Sequence, residues 1–124
     1  MKDRRPVHLN LFKIHFPVMA IVSILHRISG VILFLAIPLM LWIMGQSFSS
    51  RESFRDMQIL LQNCVSKFLL WGFLSALLYH LFAGIRHLLM DVGYGEDLPQ
   101  GKMYAHVVWI LTIVASFGMG IWLW

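Results

Sequence analysis

The chain has 124 residues, of which 59% are hydrophobic and 13% charged, whereas a soluble domain is nearer half apolar and a quarter charged. Three uncharged apolar runs, 28–44, 68–85 and 103–124, account for the excess, and each is close to the length that a spanning helix needs. The single cysteine, Cys64, excludes an internal disulfide and a thiolate metal cluster. The composition therefore predicts one small all-α membrane domain with three transmembrane helices.

The predicted elements follow the apolar runs and the turn residues between them. In chain order they are a cytoplasmic arm and interfacial segment at 1–17, helix one at about 18–45, helix two at about 53–92 and helix three at about 102–124. Three helices of this size bury little core, and helices with polar stripes in lipid usually pack against other helices. We therefore expect this domain to form half of a helical bundle whose other half is a partner anchor subunit.

The net charge of +4 predicts an orientation in the membrane rather than a nucleic-acid partner. Basic residues on the side of the N-terminus outnumber those on the other side: Lys2, Arg4, Arg5, Lys13, Arg27, Arg86 and Lys102 against Arg51, Arg55 and Lys67. The positive-inside rule then puts the N-terminus in the cytoplasm and the C-terminus in the periplasm. Neither a signal peptide nor an organellar presequence is evident, which favours a bacterial inner membrane.

Residues 79–91 place two histidines, an arginine and an aspartate in an apolar region, where ionisable groups are expensive and usually functional. At about 100° per residue, six residues share one helical stripe: Phe73, Leu77, His80, Gly84, His87 and Asp91. Neutral imidazole binds haem iron, and Gly84, one turn from His80, would leave room for a flat macrocycle. The alternative is that His80 is hydrogen-bonded to a serine or a carbonyl group on a neighbouring helix.

A second group of polar residues lies near the cytoplasmic end of helix one. Ser23 and Arg27 share a face, His26 is close to it, and antiparallel helix two brings His87 to the same membrane side. This excess of positive charge suits haem propionates or a quinone oxygen that gains negative charge on reduction. In the alternative reading, Arg27 snorkels to phosphate headgroups and Ser23 bonds its own helix. Arg86 lies off the stripe, and we predict that it snorkels.

Residues 23–29, preceded by 5–7, and residues 80–93 together resemble the cytochrome b membrane-anchor subunit of succinate dehydrogenase, respiratory complex II. Neither motif contains a departure, and the resemblance covers nearly the whole chain. It implies an anchor that pairs with a second three-helix subunit, holds one haem b and docks an iron–sulfur subunit and a flavoprotein on the cytoplasmic face. Electrons from succinate would then reach ubiquinone, linking the tricarboxylic acid cycle to the respiratory chain.

The resemblance also implies roles for individual residues. His80 matches the axial haem ligand, and Ser23 and Arg27 match the quinone site. His26, Arg27 and His87 match the polar residues around the haem propionates. Because His80 is the only histidine deep within a predicted span, a haem with two histidine ligands needs its second ligand from another chain.

No enzymatic activity is expected of this chain alone, because it has no flavin motif, no cysteine cluster and no dicarboxylate site. Two alternatives to a succinate dehydrogenase anchor stay open. One is the anchor of a fumarate reductase that uses menaquinol. The other is a haem-free proton-conducting or transport subunit that uses the same buried histidine, arginine and aspartate.

Overall fold

The computed structural model describes residues 15–124, which form four helices. In chain order they are α1 (Val18–Ser49), α2 (Arg51–Gln62), α3 (Cys64–Asp91) and α4 (Leu98–Leu123). Helices α1, α3 and α4 are each long and apolar enough to cross a membrane, which confirms the predicted all-α fold with three spans. Residues 5–7 and most of the arm predicted at 1–17 lie outside the described residues.

Asn63 interrupts the segment for which the sequence predicted one continuous helix over about 53–92. Its backbone is extended (φ −63°, ψ 139°), and its side-chain oxygen accepts a hydrogen bond from the Val65 N–H at 2.9 Å. Ser50 likewise accepts from the Ser53 N–H at 3.0 Å and so caps α2. Short polar side chains bond nearby backbone N–H groups and thereby start helices. A polar surface run therefore contains a helix boundary that its composition did not reveal.

Two other helix ends differ from the predicted ones. Helix α1 continues past Gly45 to Ser49, because a glycine weakens a helix without having to end it. Helix α4 begins at Leu98 rather than near residue 102. Asp97, which immediately precedes α4, has an extended backbone. A proline lies in the first turn of α4, where the missing proline N–H removes no helical hydrogen bond.

The buried core lies at one end of the bundle, where α1 begins, α3 ends and α4 begins; we call this the α3–α4 loop end. Its buried apolar residues are Val22, Tyr79, Ala83, Ala105 and Val108. The Tyr79 hydroxyl donates a hydrogen bond to the Val22 carbonyl at 2.9 Å, and its ring lies 5.5 Å from that of Trp109. One side chain of α3 thus joins α1 to α4.

Arg86 also belongs to this packed end, and the prediction that it snorkels is wrong. Its side chain is only 4% exposed, and Nη2 donates to the Gly101 carbonyl of α4 at a long 3.5 Å. A Cβ on Gly101 would lie 2.5 Å from Met19 Sδ, so α1 and the start of α4 approach closely there. The helical angle placed Arg86 off the histidine stripe, but it could not show that this other face meets α4 instead of lipid.

At the opposite end, α3 and α4 stay together while the second half of α1 has no buried residue. Trp71 Nε1 donates to the Ser116 carbonyl at 2.8 Å, and Gly120 leaves space for the indole ring. The two buried residues of α1, Val22 and Ser29, both lie in its first half. Because the second half of α1 does not pack closely on α3, a groove lies between the two helices, and it begins at His80.

Candidate functional site

The His80 imidazole of α3 is held by α1 at a single nitrogen. Nδ1 lies 3.0 Å from the Ser29 hydroxyl oxygen and 3.2 Å from the His26 carbonyl oxygen. The Ser29 hydroxyl itself donates to that same His26 carbonyl at 2.8 Å. The Ser29 hydroxyl, the His26 carbonyl and His80 Nδ1 therefore form a triangle of mutual contacts, through which one turn of α1 binds the His80 ring.

This triangle favours one of the two neutral tautomers of the His80 ring. The Ser29 hydrogen is already donated to the His26 carbonyl, and a carbonyl oxygen can only accept. With the hydrogen bonds arranged in this way, Nδ1 carries the proton and the lone pair of the neutral imidazole is on Nε2. Among residues 15–124, both hydrogen bonds of the ring use Nδ1 and none uses Nε2. The bond to a serine and a carbonyl group, weighed above as an alternative to a ligand role, is present and is compatible with that role.

An apolar groove of about 410 Å³ runs from His80 between α1 and α3 and is open along its side. Its lining residues are Gly30, Leu33, Phe34, Ile37, Met40 and Leu41 of α1, with Phe73, Leu77 and His80 of α3. Phe73, Leu77 and His80 are part of the predicted stripe. The groove therefore combines apolar walls with a single imidazole at its end.

Two glycines lie against two of the histidine rings, Gly30 against His80 and Gly84 against His26. A Cβ on Gly30 would lie 3.1 Å from His80 Cε1, whereas a Cβ on Gly84 would lie 3.4 Å from His26 Nε2. The small residue that the His80 ring requires is thus Gly30 on the neighbouring helix, whereas a Cβ on Gly84 would make only an ordinary contact with His26. A role of Gly84 in packing a haem stays a prediction.

Sequence reasoning assigned no role at the site to Ser29 or Gly30, which follow His26 by about one helical turn. The sequence could have indicated both residues, because Ser29 and Gly30 lie one turn after His26 on the side of helix one that an antiparallel helix two would contact. The sequence does not give the relative depth of the two helices, and that depth decides which serine meets His80.

His26, His80 and His87 form a contiguous group of rings, although the sequence placed only His26 and His87 near the cytoplasmic end and predicted His80 deeper within its span. His26 stacks on His80 with ring centroids 4.2 Å apart and planes inclined by 16°. Its centroid lies 4.9 Å from that of His87, with planes at 48°. Within the described part of the chain, these rings are not arranged to share a bare metal ion. Their contact is packing, and it places the His26 imidazole between those of His80 and His87.

Ser23 and Arg27 lie one turn apart on α1, on either side of His26 in sequence. Ser23 is half-buried and Arg27 is exposed. Neither side chain makes a hydrogen bond to another residue of the described range 15–124. Their assignment to a quinone site stays a prediction, as does the place of His26, Arg27 and His87 beside haem propionates.

Comparison with known proteins identifies the family. Residues 1–119 match the model of the succinate dehydrogenase/fumarate reductase transmembrane subunit. The succinate dehydrogenase cytochrome b556 subunit of Coxiella burnetii is 49% identical over 100% of both chains. That of Rickettsia typhi is 37% identical over 92% of this chain and 89% of its own. The mitochondrial cytochrome b560 subunit of Sus scrofa is 30% identical over 94% of this chain and 70% of its own. The chain is therefore a multi-pass membrane protein that belongs to the family of succinate dehydrogenase and fumarate reductase transmembrane subunits.

Proposed function

We propose that this chain is the haem b- and quinone-binding anchor of a succinate dehydrogenase complex. In that complex, oxidation of succinate to fumarate releases an electron pair and two protons, and ubiquinone takes up an electron pair and two protons to become ubiquinol. The observation that carries the proposal is the hydrogen bonding of His80, a residue of the apolar groove: the contacts occupy Nδ1 and, among residues 15–124, leave Nε2 without a hydrogen bond. The names of the relatives, which are cytochrome b subunits of succinate dehydrogenase, support the same assignment.

The residues around His80 fit haem b. A ligating histidine usually donates its other ring N–H to a carbonyl or a similar acceptor, and His80 does so. The groove walls are apolar, as a macrocycle requires, and Gly30 leaves the imidazole unobstructed by a side chain from α1. A bound haem would supply one-electron storage close to the quinone site. His80 would provide a single iron ligand, so we propose that a second one would come from the partner anchor subunit.

The charged residues near the α3–α4 loop end suit the polar edge of such a group. Arg27, with His26 and His87, would offer hydrogen-bond donors to the haem propionates, and a guanidinium binds carboxylates in a planar fork. The His26 ring contacts both histidines of α3. Replacement of Arg27, His26 or His87 would weaken the hydrogen bonding to the propionates without removing the iron ligand.

Ser23 and Arg27 would bind the quinone. A serine hydroxyl donates to a quinone carbonyl oxygen, and an arginine stabilises the negative charge that develops there during reduction. The exposed position of Arg27 suits a site completed by residues of another subunit. The same turn of α1 therefore contains the His26 backbone carbonyl, which is hydrogen-bonded to His80, and the Arg27 side chain, which is assigned to the quinone.

The remaining surface supports assembly with other subunits. Most of the large apolar side chains within residues 15–124 are exposed, including Phe34 at 71% and Leu35 at 69% on α1, so lipid and a second three-helix subunit would cover them. We propose that the α3–α4 loop end faces the cytoplasm of a bacterial cell, where the iron–sulfur subunit and the flavoprotein dock. The C-terminus then lies in the periplasm.

The reduced-minus-oxidised absorption spectrum of the purified complex tests this proposal. We expect a b-type haem that succinate reduces, together with succinate-driven reduction of ubiquinone. An assembled complex without haem would favour the proton-conducting or transport alternative. A complex that oxidises menaquinol with fumarate much faster than it reduces ubiquinone would instead be a fumarate reductase.

A further inference from the structure

We propose that Ser29 is a positioning residue for the haem ligand, because it forms with the His26 carbonyl a paired acceptor that sets the orientation and the donor strength of His80. The inference rests on the haem-binding function proposed above. It concerns a residue that makes no contact with the iron or the quinone in that proposal. Its effect would pass entirely through His80 Nδ1.

Burial and geometry give Ser29 this role. Its side chain is 5% exposed, so water does not replace it as an acceptor. Its hydrogen is donated to the His26 carbonyl at 2.8 Å, which turns its oxygen lone pairs toward His80 Nδ1 at 3.0 Å. The His26 carbonyl, at 3.2 Å from Nδ1, is the longer of the two contacts. Ser29 is therefore the closer acceptor of the Nδ1 proton.

An imidazole whose N–H is strongly accepted is a better electron donor through its other nitrogen. Stronger donation stabilises ferric relative to ferrous iron and lowers the reduction potential. Loss of the Ser29 hydroxyl leaves the longer bond to the His26 carbonyl, which preserves the tautomer but weakens the polarisation of the ring. The expected change is a higher haem potential in a complex that still assembles and still holds haem.

The test is a potentiometric titration of the haem in the assembled complex of Ser29→Ala, with electron paramagnetic resonance of the ferric form. We expect the ferrous-to-ferric ratio at a fixed potential to rise by about threefold to tenfold. At about 59 mV per tenfold change for a one-electron couple, this is a positive shift of roughly 30–60 mV. The ferric signal should also change, because the ring loses one of its two restraints.

Two variants separate this role from a general loss of a serine. Ser29→Thr keeps the hydroxyl and should restore most of the wild-type potential. Ser47→Ala is the matched control, because the Ser47 hydroxyl donates to the Ile43 carbonyl of the same helix at 2.8 Å, at the far end of α1. It should leave the potential and the ferric signal unchanged.

An unaltered potential and ferric signal in haem-replete Ser29→Ala would overturn the inference, as would an equal shift in Ser47→Ala or in Ser29→Thr. Loss of haem in Ser29→Ala that Ser29→Thr repairs would support it. Failure of the underlying function looks different, because the complex would then lack haem or would keep its spectrum after His80→Leu. A haem that depends on His80 but ignores Ser29 overturns only the present inference.

Discussion

Gly30 of α1 faces the His80 ring of α3 so closely that a Cβ on it would lie 3.1 Å from His80 Cε1. Real Cβ atoms rarely make contacts this short, so any side chain at residue 30 must displace the imidazole by a few tenths of an ångström. The position of the proposed iron ligand thus depends on the absence of a methyl group on the neighbouring helix.

Gly30→Ala should therefore lower the haem content of the assembled complex or alter the ferric resonance signal, because the ring moves against its Nδ1 bonds. Overpacking of this kind typically costs about 1–3 kcal/mol. Gly45→Ala on the same helix is the control, since nothing lies within 4 Å of a Cβ there. Equal haem content and identical signals in the two variants would show that the close approach does not matter.

Tyr79→Phe should destabilise the α3–α4 loop end. The Tyr79 hydroxyl donates to the Val22 carbonyl at 2.9 Å in a buried site, and such a bond contributes about 0.5–1.5 kcal/mol. The expected result is a lower melting temperature of the solubilised complex. Tyr94→Phe is the matched control because the Tyr94 side chain is 62% exposed. If both variants had the melting temperature of the wild type, the hydrogen bond between Tyr79 of α3 and Val22 of α1 would not contribute to stability.

Ser23→Ala and Arg27→Leu should slow quinone reduction while leaving succinate oxidation with an artificial dye acceptor nearly intact. A hydrogen bond to a group that becomes charged contributes about 1.5–3 kcal/mol, and its loss in the transition state slows the step by roughly tenfold to over a hundredfold. Ser49→Ala, at the opposite end of α1, is the control. Normal quinone turnover in both variants would remove this pair from the site.

Arg27→Lys separates quinone binding from snorkelling. A lysine reaches a lipid phosphate as well as an arginine does, so snorkelling predicts full quinone activity in this variant. A site that uses the planar guanidinium fork should accept lysine only in part. Steady-state rates with ubiquinone, at matched levels of assembled complex, distinguish the two results.

The orientation has its own test. A reporter fused after Trp124 should be active only outside the cytoplasm, and one fused after Asp97 should be active only inside it. Both expectations come from the basic residues near the α3–α4 loop end and in the N-terminal arm. The reverse pattern would place the proposed docking face on the wrong side of the membrane.

The spans and the histidine stripe could be predicted because each depends on one helix alone. A spanning helix must be long and apolar, and residues three, four or seven apart share a face, so Phe73, Leu77 and His80 were placed together correctly. Ser29, Gly30 and Arg86 depend on how deep one helix lies against another. The periodicity of a single helix does not give its depth relative to another helix. The contacts of Ser29, Gly30 and Arg86 therefore became known only from the structure.

The most direct test of the account is the reduced-minus-oxidised spectrum of the assembled His80→Leu complex, with His106→Leu as control. The His106 side chain is exposed on α4, and its Nδ1 lies 2.7 Å from the Lys102 carbonyl oxygen, so it should have no part in haem binding. We predict that His80→Leu loses or alters the absorption of a haem with two histidine ligands, whereas His106→Leu keeps it. An unchanged haem spectrum in a correctly assembled His80→Leu complex would contradict the account.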